Sequence, residues 1–148
     1  MSVKVQERQV GNVTILEIEG SITRTEGSSV LREAVCNKVF ACATGKQIKM
    51  LIDLGGVDRI DSGGIGALAI AFSTIANRGG QLKLLNVSKV KMAHNQKMSM
   101  AAVLQQIGFS TIVETYDNEA AAVASFDPPG SHMAVPRYSP DGRLKDPC

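Results

Sequence analysis

The chain has 148 residues, of which 44% are hydrophobic and 20% charged, with a formal net charge of +2. That length suits one domain whose core needs neither metal nor disulfide staples, and so even a charge balance gives no electrostatic ground for a nucleic-acid or membrane-surface partner. Aromatic residues are 4% of the chain and tryptophan is absent, which leaves no stacking platform for bases.

The elements alternate along the first 127 residues. Residues 3–9 and 12–19 read as two strands joined at Gly11, a hairpin. Ser28 or Ser29 caps a helix whose apolar stripe is Leu31, Ala34, Val35, Val39 and Cys42. Residues 47–54 form a strand, and Met50-Leu51-Ile52 within it predicts burial on both faces. Residues 64–77 form a helix that is apolar nearly all round and so largely buried, ended by Gly79-Gly80. Residues 81–87 give the next strand. Ser88 caps a helical stretch that runs to Gln106, with Gly108 as its stop. A short strand at 111–115 and a helix at 120–126, capped by Asp117 or Asn118, complete the order. Strand–helix–strand units imply parallel pairing with right-handed crossovers. The predicted fold is α/β, a mixed sheet of about five strands with about four helices packed on it.

All five prolines lie beyond residue 127. That shift divides the chain into a folded domain, residues 1–127, and a Pro-rich extended tail, residues 128–148. The tail has too few large apolar residues to offset its own ordering entropy. Gly130-Ser131-His132-Met133 within it also looks like a cloning remnant. Cys36, Cys42 and Cys148 are an odd set without CxxC spacing, the pattern of free thiols in a reducing cytoplasm. Residues 1–10 lack the apolar segment of a signal peptide, and no apolar run reaches the ~18 residues of a membrane span. The expected location is cytoplasmic.

The most informative segment is Ile60-Asp61-Ser62-Gly63-Gly64-Ile65-Gly66, between the apolar strand and the apolar helix. Backbone N–H groups at a helix start lack partners, and the helix dipole is positive there. A phosphate on Ser62 would meet those donors. Gly63 and Gly64 keep side chains away from an enzyme approaching the hydroxyl. Asp61 can orient that hydroxyl or share in partner contacts. Asp and Ser are also favoured N-caps and glycine is common in turns, so on these residues alone Ser62 is either a cap or a chemical target.

Other chemistries find little support. Gly64-Ile65-Gly66-Ala67-Leu68-Ala69 fits the dinucleotide fingerprint G-x-G-x-x-A. The acidic residue that should bind the ribose about 20 positions on is missing, because residues 62–113 contain no Asp or Glu. His94 and His132 are the only histidines, and no Ser/His/Asp spacing argues for a triad. No enzyme activity, metal or cofactor is expected.

Taken together, residues 3–126 resemble a STAS domain of the bacterial anti-sigma-factor antagonist type. The resemblance rests on Leu51-Ile52-Asp53-Leu54 followed by Val57-Asp58-Arg59-Ile60-Asp61-Ser62-Gly63-Gly64-Ile65-Gly66. Weaker echoes are Leu16-Glu17-Ile18-Glu19-Gly20-Ser21-Ile22, Gly79-Gly80-Gln81-Leu82-Lys83-Leu84-Leu85-Asn86-Val87-Ser88 and Ile107-Gly108-Phe109. In that family the serine after the motif aspartate is phosphorylated by an anti-sigma factor that is a serine kinase. The matching residue is Ser62. The resemblance implies an antagonist that binds the kinase when unphosphorylated and releases it when phosphorylated, with a PP2C-type phosphatase as the reset. It also implies a partner surface of Asp61, Ser62, Gly63 and Gly64 with the loop residues Ser21, Thr23 and Arg24. Gly63 stands where many members carry a second Ser or Thr. Gly20-Ser21-Ile22-Thr23 lacks the family's two acids, and residues 88–109 are longer than usual, with 95–100 resembling an insertion. The competing reading is a STAS scaffold or accessory subunit of another assembly, stressosome-like or lipid-transporting, without a sigma factor.

Overall fold

The structure, a computed structural model, describes residues 3–23, 27–41, 48–95 and 97–126. Cys42, Cys148, Arg24 and the predicted tail beyond residue 127 lie outside them.

Strands β1 (Lys4–Val10) and β2 (Val13–Ile22) form the expected hairpin. Its two-residue turn contains Gly11 at φ 60°, in the left-handed region that favours glycine. Helix α1 (Ser28–Ala41) follows, and its Leu31, Val35 and Val39 are buried at the predicted helical spacing. Strand β3 (Lys49–Ile60) runs six residues beyond the predicted end at Leu54, through Gly55-Gly56. Helix α2 (Ser62–Ala76) leads into β4 (Gln81–Leu85). Then come a 3-10 turn (Val87–Lys89), the two-residue strand β5 (Lys91–Met92), α3 (Met100–Gln106), a second 3-10 turn (Phe109–Thr111), β6 (Thr115–Tyr116) and α4 (Glu119–Ser125).

The sheet order is β1-β2-β3-β4-β6, with β1 antiparallel to β2 and the remaining pairs parallel. β3 is the axis of the sheet. β2 flanks almost its whole length, so its other side is shared: residues 49–53 pair with β4, and Arg59 and Ile60 pair with β5. The fold is thus the expected mixed sheet with four helices, plus one short strand.

Strand alternation divides the core. Met50, Ile52 and Leu54 of β3 pack with Leu16 and Ile18 of β2 under α1, α2 and α3. Leu51 points to the opposite face, where it meets Val13, Ile15, Leu85, Ala122 and Phe126 beneath α4. Burial of β3 on both faces is therefore as predicted. Lys83 lies at the margin of this second cluster and is 5% exposed. Its Nζ donates to the Ser125 carbonyl at 3.2 Å and Oγ at 2.9 Å, and stands 4.7 Å from the centre of the Phe126 ring. A cation bound to the last carbonyls of α4 suits the negative end of that helix dipole.

Three local expectations are corrected. Residues 88–106 are not one helix. Ser88 instead bonds its hydroxyl to Asp117 at 2.9 Å, and α3 is capped by Ser99, which accepts from the Ala102 N–H. The predicted strand at 111–115 is a 3-10 turn followed by β6 at Thr115. The first error arises where Val87, Val90 and Met92 are buried singly between very short elements, so that no helical or strand period exists to be read. Finally, α2 is not buried all round. Ile65, Leu68 and Ile75 are buried, but Ile70 is 50% exposed. Phe72 is half-buried and meets Phe109 edge-on, with ring centres 5.9 Å apart.

Candidate functional site

The site is built where β3 hands the chain to α2. Asp61 has extended backbone angles (φ −112°, ψ −176°), the N-cap conformation, and its Oδ1 accepts from the Gly64 N–H at 2.9 Å. Its own N–H donates to the Ile22 carbonyl at 3.2 Å. The aspartate therefore starts the helix and ties it to the end of β2. Capping belongs to Asp61, so Ser62, the first helical residue, is not committed to it. Ser62 is exposed, while Asp61 and Gly63 are half-buried.

Gly64 is buried and explains why the turn needs glycine. A Cβ there would stand 2.4 Å from the Ile22 carbonyl oxygen and 2.6 Å from Ile60 Cγ1. No side chain fits without moving backbone. Gly66, one position beyond the same turn, has open space where its Cβ would be.

The loop after β2 joins the site from the other side. Ser21 pairs with Arg59 and Ile22 with Ile60 along the parallel β2–β3 ladder. Thr23 forms a bridge to Gly27. Ser21 and Thr23 are half-buried beside the Asp61 turn, so the structure brings together Ser21, Thr23, Asp61, Ser62, Gly63 and Gly64 at one end of the sheet. Arg24 lies outside the described residues.

Two depressions border Ser62 and Gly63. One, between α1 and α2, is lined by Ser28, Arg32, Gly63, Gly66 and Ile70. The other is a groove of about 580 Å3 between α2 and the β5–α3 region. Ser62 stands at its wall together with Met92, His94, Met98 and Phe109. Sequence reasoning missed both His94, which lines the groove with Ser62, and Arg32, which lines the other depression with Gly63. Arg32 is an exposed residue at the edge of the apolar stripe of α1, and His94 follows a strand of two residues, so neither carries a sequence signal. No group of three or more His, Cys, Asp or Glu is placed to hold a metal among the described residues.

The profile of the STAS domain matches residues 4–122. The chain belongs to the STAS domain family. As a STAS domain it is similar in fold to an anti-sigma factor antagonist from Mycobacterium paratuberculosis, at 15% identity and a TM-score of 0.66, covering 86% of this chain and 96% of the other. It is similar as well to the anti-sigma factor antagonist SpoIIAA in its unphosphorylated form, at 15% identity and TM-score 0.57, covering 82% and 96%. A sulfate transporter family protein from Wolinella succinogenes shares the fold to the same degree, at 19% identity and TM-score 0.58, covering 80% and 87%. Comparison with curated protein sequences finds no match. No helix among the described residues of this STAS domain is long and apolar enough to cross a membrane.

Proposed function

We propose that this STAS domain is an anti-sigma-factor antagonist, a cytoplasmic binding switch without enzymatic activity of its own. It binds an anti-sigma serine kinase while Ser62 is unphosphorylated and releases it once Ser62 carries phosphate. A PP2C-type phosphatase restores the binding form. The partner surface is Asp61, Ser62, Gly63 and Gly64 with Ser21, Thr23 and Arg24. The folded unit is residues 1–127, and the tail is dispensable for partner binding.

The observation that carries this reading is the division of labour between Asp61 and Ser62. Asp61 holds the helix start, and Ser62 is exposed with a hydroxyl that is not needed for the cap. The hydroxyl oxygen can take the γ-phosphoryl group of ATP, losing its proton, without unfolding the turn. The product places a charge of about −2 beside the Asp61 carboxylate and in the centre of the partner contact. The helix N-terminus offsets part of that charge within the domain. A partner that buries the serine finds no such offset.

The scaffold or transport-accessory reading draws on the Wolinella protein, whose fold is no less similar than that of the antagonists. Fold likeness at this identity does not separate the two. The exposed Ser62 hydroxyl, which the cap does not need, supports the switch.

The test pairs the protein with the serine kinase encoded beside it and ATP. Wild type should gain one phosphate, mapped to Ser62. Ser62→Ala should gain none and still bind. Ser62→Asp should bind about 30- to 5,000-fold more weakly, the range for an unpaired charge buried at an interface. Phosphate gained by Ser62→Ala, or equal affinity of the Ala and Asp variants, would overturn the switch. Loss of binding on deleting residues 128–148 would overturn the assigned boundary.

A further inference from the structure

We infer that the groove between α2 and the β5–α3 region is a docking site for an acidic amphipathic helix supplied by a protein partner. The groove holds about 580 Å3, and its walls are Ile65 and Ala69 of α2 facing Met98, Val103, Ile107 and Ile112. Ile107 is 60% exposed and Ile112 59%. Large apolar side chains displayed together on a concave surface mark a contact site. Walls formed largely by helices, with the adaptable side chains of Met92 and Met98 in the lining, suit the helix-in-groove mode, in which apolar residues at i, i+3, i+4 and i+7 enter the groove.

Charge decides the occupant. Residues 62–113 supply both walls and contain no Asp or Glu. The cations on this stretch include Lys89, Lys91 and Lys97, all exposed, and His94 lines the groove itself. The two carboxylates that flank this stretch are both engaged: Asp61 caps α2, and Glu114 accepts from the Tyr116 hydroxyl and pairs with Lys83. The groove's own lining carries no carboxylate, so an acidic polar face meets no like charge in it and can reach the lysines of the adjoining segment, whereas a basic face finds no partner in the lining. The predicted tail does not match, since residues 128–148 carry as few as two acids, Asp141 and Asp146, against Arg137, Arg143 and Lys145. Ser62 closes one end of the groove, so phosphate there would face the acidic helix and repel it. That last link rests on the proposed switch; the groove and its occupant do not.

The experiment needs no kinase. Two fluorescein-labelled 18-residue peptides share one leucine pattern, with glutamates on the polar face of the first and lysines on that of the second. Anisotropy with the full chain should show the acidic peptide binding at least about tenfold more tightly, with the gap shrinking as salt is raised. Ile107→Asp should weaken the acidic peptide about tenfold or more, as loss of a central apolar anchor does. Amide shifts on titration should map to α2 and α3. Equal binding of the two peptides, no effect of Ile107→Asp in a variant that melts normally, or shifts confined to the α1–α2 side would overturn the inference. So would tighter binding after deletion of residues 128–148, which would make the tail the occupant. A concentration-dependent dimer abolished by Ile107→Asp would assign the groove to a second copy of this chain. These outcomes hold whether or not Ser62 is ever phosphorylated.

Discussion

Gly64 and Ile22 meet so closely that a Cβ on Gly64 would lie 2.4 Å from the Ile22 carbonyl oxygen. This contact sets the start of α2 directly against the end of β2, and so brings Ser62 beside Ser21 and Thr23. The helix entrance and the β2 loop form one surface because a glycine allows it.

Gly64→Ala should therefore destabilise the domain by about 1–3 kcal/mol, the usual cost of overpacking. Gly66→Ala is its control. Open space surrounds that position, and replacing a helix-interior glycine should stabilise by roughly 0.5–1 kcal/mol. Urea melts of the two variants should move in opposite directions. Equal shifts would mean that the contact with Ile22 is not tight.

Asp61→Ala removes the oxygen that accepts from the Gly64 N–H. The loss should be about 1 kcal/mol. Asp61→Asn keeps an acceptor at the same place and should recover most of it. Because Asn lacks the charge, this variant also separates capping from electrostatics. If Asn and Ala melt alike, the charge on Asp61 matters more than its hydrogen bond.

Leu68 and Ile70 lie two positions apart on α2 yet differ in burial, with Leu68 at 0% exposure and Ile70 at 50%. Leu68→Ala should cost about 2–5 kcal/mol. Ile70→Ala should stay within about 0.5 kcal/mol, as surface substitutions do. A large loss for Ile70→Ala in chemical denaturation would reveal that its face of α2 is covered in solution.

The Tyr116 hydroxyl donates to Glu114 Oε1 at 2.6 Å. That bond is the main reason the Glu114 carboxyl is held below its ordinary range, with burial opposing and Lys83 assisting. It also pushes the Tyr116 phenol up. The Glu114 contribution is present above the unfolded value of about 4.3 and is lost as pH falls through the lower folded value. The Tyr116 contribution is complete below about 10 and is lost as pH rises through its higher folded value. Glu114 is largely exposed, so the stability gap between wild type and Tyr116→Phe should be under ~1 kcal/mol at neutral pH. It should shrink at both extremes. A gap that is flat from acid to alkali would show that the bond does not titrate.

The order of the long elements and the place of the serine follow from the amino-acid pattern. Three apolar residues in a row at Met50-Leu51-Ile52 demand a strand buried on both faces, and the apolar helix after Gly64 demands a sheet to cover. Asp61 and Ser62 between them were legible as a helix entrance, because the residues that cap a helix are few and act locally. Which of the two caps was not legible, since both types serve and only the backbone angles at Asp61 decide. Tertiary structure alone decided the extension of β3 through Gly55-Gly56, since its far end is stabilised by pairing with β5, a strand of two residues that has no period of its own. That pairing carries Met92 and His94 to the groove beside Ser62, some thirty residues away in the chain. Periodicity describes an element that repeats. It cannot describe how separate elements meet, and the groove exists only where α2 meets the β5–α3 region.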